Sequence, residues 1–224
     1  MKTITTEVLV AHSHCPRKAF LLLQAEGRGV PHEYVRLLEE RASQNRANYL
    51  ERIKQEYPGV NAGDATAFLN GQDVLVAVSV RFEDLAPQCD VLRKVPGIAS
   101  SGAPLYEPTI VVGTLHITKE QKLGLSFVGY VIGQLRNEPP GAGTIVGADL
   151  RAHTVSLETA DKTIIPTINK LRKWTGALPS DPPPVLLNKH CPLCQFREQC
   201  TEQAKSADDL SLLDRITQKN IRQY

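Results

Sequence analysis

The stretch HCPLCQFREQC, residues 190–200, places three cysteines near the end of the chain, and a fourth stands in HCPRKAFLLL, residues 14–23. A C-x2-C turn brings two thiolates together locally, and thiolates are ligands of iron-sulfur clusters and of structural zinc. If the early cysteine joins the late ones, the site connects the two ends of one folded unit. We therefore predict that one metal group is bound by Cys15, Cys191, Cys194 and Cys200.

The ligand spacing favours a 4Fe-4S cluster. Zinc knuckles usually present two close pairs of ligands, whereas here one distant cysteine would join three local ones. Zinc remains the alternative. Disulfides are disfavoured because Cys89 makes the number of cysteines odd, and because the start MKTITTEVLV has polar and acidic residues where a secretory signal needs an apolar run. The sequence thus predicts a cytoplasmic protein.

Composition sets broad limits. The 224 residues can bury one substantial core, and 42% apolar with 22% charged residues is ordinary for a globular protein. No stretch approaches the roughly 20 apolar residues of a membrane span. The net charge of +2 does not by itself indicate a nucleic-acid-binding protein, so any basic surface must come from local clustering.

Hydrophobic periodicity predicts an α/β fold. Residues 31–59 form a helix that ends at Pro58-Gly59, and one helical face is formed by Tyr34, Leu38, Ala42, Asn45, Tyr49 and Ile53. Strands are then expected at 66–69, 73–82, 88–92, 106–113, 144–147 and 153–157, and helices at 118–135 and 158–174, with a loop at 96–104. The resulting sheet needs helices on each side.

Four segments carry a resemblance: HCPRKAFLLL, YEPTIVVGTLHITKEQKLGLSFVGYVIGQL (106–135), LNKHCPLCQFREQC (187–200) and DDLSLL (208–213). Together they resemble the iron-sulfur branch of the PD-(D/E)xK nuclease superfamily, namely RecB-like putative nucleases and CRISPR-associated iron-sulfur exonucleases. The resemblance covers nearly the whole chain. It implies a restriction-endonuclease-like core sheet flanked by helices in residues 1–178, and a cysteine-rich helical cap in residues 179–224 that the cluster closes onto the N-terminal region.

The resemblance also indicates lost catalytic residues. Active relatives hold divalent ions with an Asp on one strand and an Asp or Glu two residues before a Lys on the next, and the metal lowers the pKa of a water molecule. Asp90, in QCDVL, matches the first acid. Ile110 and Val112 stand where the second acid and the Lys belong. Neither of these apolar side chains can bind a metal ion.

Two further motif positions agree with this loss. The relatives carry a His-Glu pair on the first long helix, where this chain has Asn45-Arg46. They also carry a Gln, with a Tyr four residues on, where this chain has Gly124 and Val128. Among the motif positions, only Asp90 carries the residue type that the active relatives use, so the sequence predicts a pseudo-nuclease.

Two other function classes stay open. An active Mg- or Mn-dependent single-stranded DNA exonuclease would need migrated residues such as Glu107. Side chains alternate along a strand, however, so Glu107 should point away from the side that Ile110 and Val112 share. The other class is a zinc-stabilised protein-interaction module without a role on DNA.

Relatives pass single-stranded DNA through a basic channel beside the cluster, which makes DNA the expected partner. Cations suited to phosphate contacts are Arg17, Lys18, Arg172, Lys173 and Arg197, and Trp174 could stack a base. Solvated surface charges and a core tryptophan are the alternative interpretation. The tail from DDLSLL onward resembles a linker that continues into further domains in longer relatives. A protein partner in a nucleic-acid-processing complex is therefore also expected.

Overall fold

Seven strands and six α-helices make up the part of the chain that the structure, a computed structural model, describes: residues 2–24, 29–60, 71–98, 102, 104–175 and 182–213. The strands are β1 Ile4–Thr5, β2 Val74–Ser79, β3 Leu85–Ala86, β4 Gln88–Ile98, β5 Pro104–Val111, β6 Ala142–Val146 and β7 Ala152–Ser156. The helices are α1 Thr6–His14, α2 Pro16–Gln24, α3 Glu33–Glu56, α4 Lys119–Arg136, α5 Ala160–Thr175 and α6 Arg197–Ser206.

Five of the strands form one mixed sheet in the order β2-β4-β5-β6-β7. All neighbours are antiparallel except β5 and β6, which run parallel. A parallel pair needs a crossover connection, and α4 provides it. Thr118 caps the start of α4 in a reciprocal capping box with Gln121, so the sequence itself fixes where this helix begins.

Helices cover both faces of the sheet. On one face, α3 packs Tyr49 and Ile53 against Val76, Val91 and Val111. On the other face lie α1, α4 and α5, whose buried side chains meet the strands in a larger cluster that includes Leu9, Leu75, Leu92, Phe127, Val131 and Ile164. The prediction of an α/β sheet with helices on each side is confirmed.

The predicted buried face of α3 is only partly correct. Tyr49 and Ile53 are buried, but Tyr34 is 53% exposed and Leu38 is half-buried. The helical period is right throughout, yet only the second half of the helix lies over the sheet core formed by the described residues. Periodicity reports which residues share a face, and it does not report how far the neighbouring layer extends.

The predicted loop at 96–104 begins too early. β4 continues through Pro96 and Gly97 to Ile98, with an irregular register between Val95 and Ile98 and a φ of 116° at Gly97. A bulge accommodates both the missing N–H of proline and the positive φ of glycine. The predicted strand at 66–69 and the predicted boundary between residues 178 and 179 fall outside the described residues.

The cysteine-rich segment packs against α2. It consists of a 3-10 turn at Cys191–Leu193, helix α6 and a second 3-10 turn at Leu210–Leu212. Phe196 is only 4% exposed and packs with Phe20 and Leu21 of α2. Within the described ranges, no helix combines the length and the apolar character needed to cross a membrane.

Candidate functional site

The four predicted ligands line one cavity of about 250 Å³, namely Cys15, Cys191, Cys194 and Cys200. Cys15 lies between α1 and α2, and the other three lie in the 3-10 turn, just after it and in α6. Cys89 lies elsewhere, buried in the core with its Sγ 3.3 Å from the carbonyl oxygen of Val91. The structure thus brings together the cysteines that the sequence analysis selected and separates the fifth.

Local hydrogen bonds shape the turn that carries Cys191 and Cys194. The backbone N–H of Cys191 donates to the Asn188 carbonyl at 3.0 Å, and the N–H of Cys194 donates to the Cys191 carbonyl at 3.0 Å. The N–H of Asn188 in turn lies 3.2 Å from the Sγ of Cys191 and donates to it. Donors of this kind stabilise a ligating sulfur.

The electrostatics of the cavity oppose free thiolates. Burial raises the pKa of Cys191, and it raises the pKa of Cys200 to about 11, with neighbouring thiols adding to both effects. Arg17 acts in the opposite direction on the pKa of Cys200. A metal group would supply the positive charge that four neighbouring thiolates need.

Soft donors and space both fit a metal group at this cavity. The volume far exceeds the roughly 15 Å³ that one water-sized occupant requires, which leaves room for a polynuclear group. Within the described ranges, no three His, Cys, Asp or Glu side chains are arranged to hold a single metal ion. The thiols therefore share a cavity without forming a closed single-ion site.

Two histidines form part of the cavity wall. His14 and His190 each precede a ligand candidate, and their rings stack with centroids 4.2 Å apart. Nε2 of His14 also lies 3.2 Å from Oε1 of Glu120 in α4, while burial lowers the pKa of His190. Sequence reasoning missed this contact, although the tripeptide His-Cys-Pro occurs at both positions.

Three cations of the cavity wall have neither an ion-pair partner nor a side-chain hydrogen bond among the described residues: Lys18, Lys189 and Arg197. Lys189 and Arg197 are exposed, and Lys18 is half-buried. Lys189 was not among the predicted DNA-contacting residues, even though it stands two positions before Cys191. The signal that could have identified it is its place inside the LNKHC string.

Two predicted phosphate contacts are instead engaged within the chain. Arg17 donates to the Pro183 carbonyl and to Oε1 of Gln203, both at 3.0 Å. Arg172 lies 2.8 Å from the buried Asp84 carboxylate and 2.7 Å from Glu83. These contacts give both arginines a structural role and do not favour their contact with DNA.

Lys173 and Trp174, which follow Arg172 in α5, have no ion pair of the kind that Arg172 makes in the described part of the chain. Lys173 is exposed, so it can reach a phosphate. Trp174 is half-buried, and its ring meets Phe20 edge-on with centroids 5.9 Å apart. The packing of Trp174 agrees with the core interpretation of this side chain more than with base stacking.

A second cluster lies where β4 and β5 meet α3. Asp90 is 3% exposed, and its Oδ2 accepts a hydrogen bond from the backbone N–H of Val111 at 2.6 Å. Nδ2 of Asn45 donates to the carbonyl oxygen of Val112 at 2.9 Å. The structure therefore brings together the predicted motif positions Asn45, Asp90 and Val112. Asn45 and Asp90 each have a backbone hydrogen-bond partner.

Arg46 lies beside Asp90, the one motif acid that the sequence analysis identified. Its Nε is 2.6 Å from Oδ1 of Asp90, in an ion pair whose N–H is not aligned for a hydrogen bond. With its amide turned to satisfy both groups, Gln88 accepts from the two Nη atoms of Arg46 at 2.8 and 2.9 Å. Burial raises the pKa of Asp90, while the Val111 N–H and Arg46 pull it down.

The other motif positions are packed by apolar groups. Ile110 and Val112 contact one hydrophobic cluster that contains Leu125, Ile145 and Leu157. A side chain added at Gly124 would begin 3.1 Å from the Thr6 methyl group. Ile110 and Val112 do share a side, as the strand alternation predicted.

A comparison of this chain with known proteins found no match, either to a protein-family model or to a curated protein.

Replacing Arg46 with Met should make stability depend on pH. Without Arg46, the folded-state pKa of Asp90 rises further above its unfolded value, so ionised Asp90 penalises the folded state above about pH 4. We expect a loss of about 2 kcal/mol at pH 7, less than for a fully buried pair because Arg46 is 34% exposed. The loss should shrink towards pH 4 in urea unfolding experiments.

Arg41→Met is the matched control, because Arg41 is an exposed arginine of the same helix. It should leave the free energy of unfolding nearly unchanged at both pH values. An equal loss for Arg46→Met at pH 7 and pH 4 would show that the ion pair with Asp90 is not the cause.

Proposed function

We propose that this chain is a catalytically degenerate RecB-like nuclease-family protein that carries a 4Fe-4S cluster and acts as a DNA-binding or scaffold subunit of a nucleic-acid-processing assembly. The observation that carries the proposal is the convergence of four thiols from both ends of the chain on one cavity. The mixed sheet with helices on both faces is compatible with the restriction-endonuclease-like core that the sequence resemblance implies.

Charge at the motif positions supports the loss of catalysis. Metal-dependent phosphodiester hydrolysis needs several anionic ligands to hold the divalent ion. Here the single carboxylate of Asp90 already has Arg46 and the Val111 N–H as partners. A guanidinium beside the acid repels a divalent cation. Asp90 thus has a structural role, as an acceptor for a strand N–H and for Arg46.

The surroundings of the cavity support a role on DNA. Lys18, Lys189 and Arg197 line its walls, and unpaired cations of this kind can follow a phosphate backbone. Lys173 offers a further exposed cation on α5. The DNA-binding surface that we propose is therefore centred on the thiol cavity and does not depend on Arg17 or Arg172.

The cluster assignment can be tested by metal content. Protein purified without oxygen should be brown and contain about four irons per chain. Cys194→Ser should lose the colour and most of the iron, because it removes one ligand. Cys89→Ser is the matched control and should keep both, because Cys89 lies in the core away from the cavity. Colourless protein with about one zinc per chain would support the zinc alternative instead.

The catalytic assignment predicts no cleavage of single- or double-stranded DNA above background with Mg²⁺ or Mn²⁺. Manganese-dependent degradation that disappears in Asp90→Ala would overturn the pseudo-nuclease proposal. The converse variant combines Arg46→Glu, Ile110→Asp and Val112→Lys. This triple variant should gain Mn²⁺ binding that calorimetry can measure, because it removes the competing cation and adds two carboxylates. The double variant Ile110→Asp with Val112→Lys keeps Arg46, so it should bind Mn²⁺ more weakly.

The DNA-binding assignment can be tested through salt dependence. Changing Lys18, Lys189 and Arg197 together to Gln should weaken binding to fluorescently labelled single-stranded DNA. The slope of log K against log salt should fall in magnitude by about 2, because each of the three lost phosphate contacts contributes roughly 0.7. The control changes Lys54, Arg151 and Lys162, which are exposed and lie outside the cavity, to Gln. Equal effects of the two triple variants would contradict the assignment.

A further inference from the structure

Arg17 is a buried cation at the wall of the thiol cavity. It is 8% exposed, and the two groups that it reaches, the Pro183 carbonyl and the Gln203 side-chain amide, are both neutral. Among the residues that the structure describes, its Nε has no hydrogen-bond partner and no carboxylate lies within ion-pair distance. Arg17 therefore has both an unbalanced charge and an unused donor.

Such an arrangement is unfavourable unless something compensates it. A buried charge without a counter-charge destabilises the folded state, and so does a buried N–H without an acceptor. The half-buried arginines Arg46 and Arg172 both have carboxylate partners: Arg46 has Asp90, and Arg172 has Asp84 and Glu83. No such counter-charge lies beside Arg17 in the described part of the chain.

The cavity that Arg17 lines offers a source of negative charge. Four thiolates outweigh the two positive charges of Zn²⁺, and a cluster core held by four thiolates is likewise anionic overall. Arg17 lines the same cavity as all four cysteines. A group bound by the four thiolates would thus supply both the anion and a sulfur acceptor for the Nε–H.

We propose that Arg17 is the buried counter-cation of the thiolate-bound group and that its Nε–H donates to a sulfur of that group or of its ligands. This inference rests on the proposed function, and it assigns to Arg17 a positioning role in place of a contact with DNA. A positive charge in the wall of the same cavity would stabilise the bound group and favour its reduced, more negative state. Arg17 should accordingly affect both metal retention and reduction potential.

The test compares Arg17→Gln, Arg17→Lys and the wild type, all purified without oxygen. Gln removes the charge, whereas Lys keeps it. Arg17→Gln should lose its metal at least tenfold faster to a chelator, in line with the effect of partners that orient metal ligands. Its reduction equilibrium constant should fall about tenfold, which corresponds to about 59 mV for one electron. Arg17→Lys should restore most of both properties.

Arg172→Gln is the matched control. It removes a guanidinium from an internal ion pair away from the cysteines, so it should lower the free energy of unfolding without changing the potential or the metal retention of the folded protein. A potential and a retention in Arg17→Gln equal to those of the wild type would overturn the inference. A wild-type protein that holds neither iron nor zinc would overturn the proposed function instead.

A second measurement serves if Arg17→Gln does not fold. In wild-type protein labelled with ¹⁵N-arginine, the Nε–H signal that is missing in Arg17→Lys should shift or broaden when a paramagnetic cluster is reduced. A signal that does not respond would contradict the proposed hydrogen bond. If the wild type holds zinc, the test is the rate of metal loss to a chelator in Arg17→Gln, Arg17→Lys and the wild type. Faster loss in Arg17→Gln alone would support the inference, and equal rates would contradict it.

Discussion

The packing of the C-terminal segment on helix α2 is the interaction on which the thiol cavity depends. Phe196 is buried against Phe20 and Leu21, and Arg17 bonds to Pro183 and to Gln203, which are 166 and 186 residues away along the chain. Joining positions so far apart carries a loop-closure cost that apolar burial and hydrogen bonds offset. Packing and hydrogen bonds of the surrounding side chains therefore bring the four cysteines to one cavity.

The same contacts connect the cavity to the sheet. Trp174 of α5 meets Phe20, and two residues earlier Arg172 forms an ion pair with the buried Asp84, next to β3. The thiol cavity and the Asp90 cluster thus belong to one framework. Under the proposed function, the four thiolates would hold a structural group whose loss would weaken the fold. Arg46 neutralises the buried carboxylate of Asp90, so this position needs no metal ion for its charge balance.

Sequence reasoning reached the helix at 118–135 through its periodicity, and it grouped Cys191, Cys194 and Cys200 through their local spacing. Cys15 was added as a distant fourth candidate, and it lines the same cavity. The capping box of Thr118 was found only in the structure. The partners of Arg17 and Arg46 could not be found in this way. Charged side chains are normally exposed, and only the tertiary arrangement shows that a particular arginine is buried beside a thiol or a carboxylate. The full length of β4 was missed for a related reason, because Pro96 and Gly97 usually indicate a loop.

Charge balance around the cavity would join the structural role and the DNA-binding role that we propose. An anionic thiolate-bound group would be neutralised from inside by Arg17 and from the walls by Lys18, Lys189 and Arg197. The three wall cations would then act on two anions, the bound group and a phosphate backbone. Coulomb interactions across a partly buried wall are screened less than those at an open surface. Under the proposed function, the affinity of this surface for DNA would therefore depend on the charge of the group that the thiolates hold, even if that group never touches DNA.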